Sequence, residues 1–366
     1  MQFQLKSPQF KSVFALFLFC VQLPSGFSQS QKLMYPEAKR GDQVDVYHGV
    51  EVVDPYRWME NLESEELQAW MKAQDKLLTD FLSDRKLVEK LANRIHEMTS
   101  SGATRGIPRR RGKRTFFSET DAGKSFSKLY VETPKGREPK LLLNFEELNQ
   151  DGKSVSTSSY SMNGEFLTIN TAENQSRWQS LRIMRVDDGE WLPETLTGFY
   201  SGRSSIAWSP KEDGFFYGRY DVPDDPQAPL GEGKIYFHKI GTPQSRDKLI
   251  LERPDAPNLS YGLRTTHDGH YLIFSVNTDG GSFNGMSDRI FHKNLRKADS
   301  EVVELFPDVD ADFAFEGSDG GKFRFRTSHN APNARLVEVD VKRSAPERWK
   351  ELIAESDEPM MTAVSY

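Results

Sequence analysis

The 366-residue chain has a single cysteine, Cys20, and it lies in an apolar stretch near the start. The body of the protein therefore has no disulfide and no thiolate nucleophile, and its stability must come from packing. Long hydrophobic runs are missing too: the stretch from Val13 to Leu23 has eleven residues, against the roughly 20 that a membrane-spanning helix needs. There is no basic excess. Lys and Arg number 48 against 54 Asp and Glu, a formal charge of −6, which argues against a general affinity for nucleic acid. No serine has glycine at both −2 and +2, so the nucleophile elbow of the α/β-hydrolases is absent from these residues.

What the chain does have is aromatic residues: 11% of the total, with 24 Phe and six Trp. That composition belongs to a folded protein, because chains that stay disordered are poor in aromatics. The length allows two or three ordinary domains or one large repeat domain.

The first residues are set aside as a targeting segment. Lys6 and Lys11 precede the apolar run and Pro24-Ser25-Gly26-Phe27-Ser28 follows it, with small residues Gly26 and Ser28 at −3 and −1 of a cut after Ser28. This is the pattern of a signal peptide over residues 1–28. Phe19 before Cys20 argues against a lipoprotein signal. Losing Lys6 and Lys11 takes the formal charge from −6 to −8. A secreted or periplasmic protein is expected, with no membrane contact once the signal is removed.

Residues 29–100 read as an N-terminal segment with amphipathic helices. Ser64 is placed to cap a helix whose first turn holds Glu65 and Glu66. Leu67, Trp70, Met71, Leu77, Leu78, Phe81 and Leu82 recur at helical spacing, and Leu87, Val88, Leu91, Ile95 and Met98 continue it beyond Ser83-Asp84. The spacing predicts two helices, or one broken one, over residues 64–98, with the apolar stripe packed in a core.

From residue 101 to 366 the pattern becomes one of short strands. Gly112, Gly164, Gly214, Gly269 and Gly321 each open a similar aromatic-rich strand, at spacings of 52, 50, 55 and 52. A second strand follows each, from Lys128, Ser180, Lys234, Arg289 and Arg335; further strands begin at Lys248 and Val302, and one from Ser204 precedes a glycine. Four strands per unit of this length predict the blades of a β-propeller. Apolar runs such as Tyr271 to Phe274 suit strands covered on both faces, which a sandwich or a barrel would not require. The fold class expected is therefore mainly β: an incomplete propeller of about five four-stranded blades, preceded by the helical segment. Either the ring closes with five blades or the chain is the front part of a longer protein. An open arc would leave blade faces exposed.

Several clusters invite a chemical reading. Ser125 and Lys128 have the S-x-x-K spacing of a Ser–Lys nucleophile, but strand-like surroundings do not suit that dyad. Asp308, Asp310 and Asp312 suggest a calcium loop, which fails because the sixth position is Phe313 and the twelfth Asp319. His267 and His270 flank the turn Asp268-Gly269 with no third ligand. Arg109, Arg110, Arg111, Lys113 and Arg114 form one basic cluster, read as a solvated approach to the first blade strand. Asn174 and Asn258 head glycan acceptor triplets. No metal or cofactor is expected.

The most specific stretch is Tyr47-His48-Gly49 followed by Asp54-Pro55-Tyr56-Arg57-Trp58-Met59-Glu60, then Ala69-Trp70-Met71-Lys72-Ala73-Gln74. It resembles the N-terminal signature of the prolyl oligopeptidase family of serine peptidases. Pro108 to Gly112, Gly123 with Leu129-Tyr130, and Ala331 to Leu336 resemble the same family's propeller, so the likeness runs roughly over residues 33–355. Physically, Pro55 stops regular structure, Tyr56 and Trp58 offer large contact area, and Arg57 can pair beside them, which makes the stretch a clasp.

The resemblance implies an endopeptidase that cleaves short peptides after proline, by acyl transfer from a Ser-Asp-His triad in a C-terminal α/β-hydrolase domain of the same protein. The propeller would gate access to the site. None of the triad lies in these residues, so no catalytic residue is assigned and the chain alone should be inactive. Arg203 stands where the family often has an aromatic and Asn277 where it often has an arginine; neither is carried over as a site residue. The alternative is a stand-alone propeller that binds a peptide or glycan without catalysis. A relative preferring basic residues is a further possibility within the enzyme class.

Overall fold

The computed structural model describes residues 33–82, 85–100, 102–134, 136, 138–173, 176–223, 230–253, 260–277, 286–297 and 299–362. The signal peptide, Cys20, the Ser83-Asp84 break and the acceptor residues Asn174 and Asn258 lie outside the described residues. Contacts divide the chain into two compact units, 1–94 and 95–366.

The first unit opens with a hairpin, β1 (Val44–Tyr47) and β2 (Val50–Val53). His48 and Gly49 turn it with φ of 50° and 82°, the paired positive values that a tight two-residue turn requires. The lone histidine of the signature is thus a turn residue. Arg57 then ties the segment together: its Nε donates to Asp54 Oδ2 at 2.7 Å, and its Nη2 pairs with Asp45 on β1. Trp58 donates from Nε1 to the Lys39 carbonyl at 2.8 Å and meets Trp70 edge-on at 6.4 Å. The expected clasp therefore joins residues 39–60 to the helix α1 (Glu65–Phe81). Ser64 caps that helix, accepting from Leu67 N at 3.3 Å. A second helix, α2 (Arg85–Thr99), follows.

The helices match their expected spans, but the core expected of their stripe does not form among the described residues. Leu67 is the buried residue of α1, while Leu78, Phe81, Leu87, Val88, Leu91, Ile95 and Met98 are all exposed. Periodicity identifies an apolar face; it does not supply the surface that covers it.

The second unit is mainly β, with successive antiparallel sheets joined as meanders. The first contains β3 (Thr104–Arg105), β4 (Arg109–Arg111), β5 (Arg114–Thr120), β6 (Lys128–Glu132) and β7 (Lys140–Asn144), and a short helix, α3 (Phe145–Leu148), follows. The second has β8 (Lys153–Tyr160), β9 (Phe166–Glu173), β10 (Trp178–Arg185) and β11 (Trp191–Tyr200). The third has β12 (Ile206–Trp208), β13 (Gly214–Tyr220), β14 (Gly233–Lys239) and β15 (Lys248–Leu251). The fourth has β16 (Ser260–Thr265), β17 (Tyr271–Asn277), β18 (Arg289–Asn294) and β19 (Val302–Glu304). The fifth has β20 (Phe313–Asp319), β21 (Lys322–Thr327), β22 (Arg335–Asp340) and β23 (Lys350–Ile353). Four-stranded antiparallel sheets in this sequence are consistent with a β-propeller.

Strand alternation explains the stacking. On β17, Leu272, Phe274 and Val276 enter a core shared with Ala207, Phe216 and Ile235 of the third sheet, while Ile273, on the other face, joins Phe313, Phe323 and Phe325 of the fifth. The run is covered on both faces, as its composition requires. Corresponding cores join the first sheet to the second through Phe116, Leu167 and Ile169, and the second to the third through Leu181, Ile183, Phe215 and Tyr217. Each fully buried Phe or Ile contributes about 1.5–3 kcal/mol.

Among the described residues no such core, and no strand pairing, joins the fifth sheet to the first. The outward face of the fifth sheet is nevertheless not bare hydrocarbon. Arg326 Nε lies 3.1 Å from Glu316 Oε1, and Arg324 and Lys322 approach Glu338 at 3.9 and 3.7 Å.

Candidate functional site

Each sheet has two ends: the entry end, where the chain enters the first strand and leaves the second, and the turn end, where a tight turn joins the two. The pairing Ser260↔Asn277 puts Asn277 at the entry end of the fourth sheet. On the third, Ile206 pairs with Tyr217, and Arg203, in the turn that leads into β12, acts electrostatically on Tyr220 at the end of β13, again at the entry end. The two positions singled out from the sequence are therefore at matching ends of neighbouring sheets.

Aromatic side chains fill the space around them. Trp178 meets Tyr200 edge-on at 5.0 Å, and Tyr200 lies 6.4 Å from Tyr220. The Arg177 guanidinium sits 4.8 Å over the Tyr200 ring and donates to the Ser201 carbonyl at 3.1 Å. Gly233 makes room for Tyr220, whose ring would stand 2.7 Å from a β-carbon there. Burial pushes the Tyr220 hydroxyl well above its ordinary pKa, with Arg203 opposing the shift and Tyr261 adding to it. Asn277 Nδ2 reaches Ser260 Oγ at 3.5 Å. Rings, guanidinium groups and an amide of this kind offer stacking and hydrogen bonding. They supply no nucleophile.

The other clusters resolve into structure. Lys128 Nζ donates to Asp121 Oδ2 at 2.6 Å, which raises its pKa and leaves it no base for Ser125. A hydroxyl and an imidazole do meet at Ser100 Oγ and His96 Nδ1, 3.2 Å apart, but on the exposed C-terminal end of α2. Asp308, Asp310 and Asp312 alternate with Val309 and Ala311, which pack on the core between the fourth and fifth sheets, so the carboxylates point outward along a connection. His270 Nδ1 lies 2.9 Å from Asp268 Oδ2 at a turn end, and His267 is exposed beside it. Arg109, Arg110 and Arg111 are the exposed strand β4, paired to β5, whereas Arg114 is mostly buried and donates from Nη2 to Asp187 Oδ1 at 2.6 Å.

Sequence reasoning missed the tyrosines. Tyr200, Tyr220 and Tyr261 lie at the ends of strands, where a period of two has no further position to register, and they adjoin only because the sheets stack.

Comparison with known proteins gives one consistent answer. Residues 36–366 match the family model described as "Prolyl oligopeptidase, N-terminal beta-propeller domain". A prolyl endopeptidase of Elizabethkingia meningoseptica is 30% identical over 336 residues, covering 90% of this chain and 46% of that protein. A solved structure from a study of two prolyl endopeptidases and their inter-domain dynamics superposes with a TM-score of 0.71 at 28% identity, covering 88% of this chain and 47% of the other. Prolyl oligopeptidase B from Galerina marginata, solved with a 35mer substrate, shares the fold at a TM-score of 0.72 and 21% identity, with 88% and 48% covered. The chain thus spans about half the length of the relatives it matches.

Proposed function

The chain belongs to the prolyl oligopeptidase family as an N-terminal β-propeller domain, and from that premise we propose that it is the propeller-bearing part of an exported serine endopeptidase that hydrolyses short peptides after proline. The observation that carries this reading is the match over residues 36–366 together with the 46% share of the relative's length. In this reading the five sheets are blades of a larger ring, and the Ser-Asp-His triad belongs to an α/β-hydrolase domain outside these residues. Serine attacks the carbonyl carbon of the prolyl residue, histidine takes and returns the proton, and water releases the acyl-enzyme.

The exposed stripe of Leu87, Val88, Leu91, Ile95 and Met98 supports a covering partner of that kind, since a contiguous apolar face on a soluble domain marks an interaction surface. The propeller's part is to admit small, unstructured peptides and to contact them through the entry-end cluster. Export follows from the pattern of residues 1–28.

The test is hydrolysis of a proline-linked chromogenic peptide by the longer gene product, with and without a serine-directed reagent. Reagent-sensitive cleavage after proline, with the 366-residue chain inert on its own, is expected. Cleavage by the chain alone, or by the longer protein only after other residues, would overturn the reading. Protein recovered outside the cytoplasm should begin at Gln29.

A further inference from the structure

The turn ends of the same sheets carry a different chemistry. β4, the end of β8, β12 and β16 with its following turn enclose a cavity of about 580 Å³, within the range of small-ligand and short-peptide sites. Its charged lining is of one sign, Arg110, Arg111 and Arg264, with the imidazole of His267 beside them and no carboxylate among the described lining residues. In a chain of net charge −6 this is a local reversal.

The three guanidinium groups are lightly engaged. Arg110 donates from Nε to the Gly112 carbonyl at 3.3 Å, Arg111 from Nη1 to the Arg110 carbonyl at 3.1 Å, and Arg264 from Nη1 to the Phe315 carbonyl at 3.0 Å. None of them has a carboxylate partner among the described residues. Burial pushes the Tyr160 hydroxyl above its ordinary pKa, opposed first by its hydrogen bond with Thr157 and then by the charges of Arg109 and Arg111. The apolar lining includes the partly exposed Met162 and Ile206, with Leu263 and Trp208 packed beneath them at 4% and 3% exposed; the Trp208 indole Nε1 is buried and has no hydrogen-bond partner among the described residues.

We propose that this cavity captures the carboxy-terminal end of a peptide, with the free α-carboxylate on Arg110, Arg111 and Arg264 and the last side chain against Met162 and Ile206. Guanidinium forks fit a carboxylate in two-point geometry. An inorganic anion would use the rim and leave the apolar lining idle, whereas a chain terminus uses both. Naming a peptide, rather than another organic carboxylate, rests on the peptidase reading above.

The experiment is fluorescence anisotropy of an N-terminally labelled hexapeptide ending in leucine, titrated with the 366-residue chain, in free-acid and amidated forms. The free acid should bind about 10-fold or more tightly than the amide and weaken several-fold as salt rises from about 50 to 500 mM, where screening shortens to a few ångströms. Arg110→Gln with Arg111→Gln should lose about 10-fold, and Lys211→Gln, in a different groove that it lines with Asp213, Lys248 and Lys293, should change nothing. Because both arginines are exposed on β4 the variant keeps its fold, which its thermal melt verifies, and the salt series needs no variant. Equal binding of acid and amide overturns the proposal. So does displacement by inorganic phosphate as efficient as that by unlabelled free acid, which reduces the cavity to a general anion trap. The readout is binding by this chain, so a longer protein that fails to cleave after proline refutes the peptidase reading alone.

Discussion

Truncating Asp247 to alanine should release the junction between the second and third sheets. Asp247 follows a turn at Gln244–Arg246, and its side chain is 1% exposed. Oδ2 accepts from the Tyr217 hydroxyl at 2.6 Å, and Oδ1 lies 2.8 Å from Nδ1 of His238, itself fully buried. Gln244 extends the network across the sheets: its Nε2 contacts the Tyr217 hydroxyl at 3.0 Å and donates to the Thr197 carbonyl at 2.9 Å, while its Oε1 accepts from Thr197 N at 3.0 Å. Burial and the adjacent Asp247 both push the Tyr217 hydroxyl well above its ordinary pKa, so it stays a donor. Alanine at 247 leaves that donor and an imidazole nitrogen unsatisfied where water does not reach. Hydrogen bonds to a charged group are worth about 1.5–3 kcal/mol each, and a buried donor left unsatisfied costs about 1–3 kcal/mol. We expect a loss of about 3–5 kcal/mol from a total of order 5–15 kcal/mol.

Tyr217→Phe should cost about 1–2 kcal/mol, and the double variant should fall short of the sum by about 1–3 kcal/mol, because both substitutions remove the same bond. Urea unfolding followed by tryptophan fluorescence reads this directly, since Trp178, Trp191 and Trp208 all belong to these two sheets. A cost below about 1 kcal/mol for Asp247→Ala, or strict additivity in the cycle, would refute the assignment of the junction to this carboxylate.

Gly214→Ala places a β-carbon 2.0 Å from the His238 carbonyl oxygen and should cost about 3 kcal/mol or more by forcing β13 from β14; Gly218→Ala on the same strand, where the nearest atoms are 3.7 Å away, should stay within about 1 kcal/mol, and equal melting temperatures would count against the argument. His292 packs edge-on against Tyr271 and Phe323 with Nδ1 buried and without a hydrogen-bond partner among the described residues, and burial holds its pKa below the ordinary value. The unfolded state therefore binds the proton more readily, so this contribution is intact above the unfolded value of about 6.5 and is lost as pH falls from there toward the depressed folded value. His292→Phe should flatten that limb of the stability–pH curve, and an unchanged limb would exclude His292 as its source. Leu91→Glu, at a position 54% exposed, should alter the stability of this chain by no more than about 0.5 kcal/mol but lower that of a longer protein whose remaining part covers α2; equal effects in both would remove the stripe as a docking surface.

How much of this was readable beforehand differs from one element to the next, for physical reasons. The second and third strands of each sheet were legible because they carry the cores: Phe116, Leu167, Phe215, Leu272 and Phe323 all follow a glycine within a few residues and are buried. First strands were harder. The one from Ser204 was read and is β12, with three residues, but β4 is Arg109–Arg111 with every position exposed and offers no alternation to count. The apolar stripe of α1 and α2 was legible as a stripe and misleading as a core, because a period of 3.6 names a face and is silent on what covers it.

The five repeated glycines look alike in sequence and serve different needs. Gly112, Gly164 and Gly269 have φ of 54°, 76° and 71°, and a side chain on Gly112 would strike Asn163 of the next turn at 2.8 Å, as one on Gly269 would strike Pro210 at 2.7 Å. In the third and fifth turns the positive φ moves to Glu212 and Gly320, and Gly214 is held instead by the His238 carbonyl. Glu212 then accepts from Asn163 N at 2.8 Å, stitching the second turn to the third. The repeat thus marks a place where neighbouring turns stack closely, and its period alone does not say which atom fills each gap. The same limit governs the cavity. Arg109, Arg110 and Arg111 are a solvated strand when taken with their neighbours in sequence, and part of them becomes the wall of a binding site only when the turn ends of three further sheets are brought alongside. A reading confined to local composition has access to the first fact and not to the second.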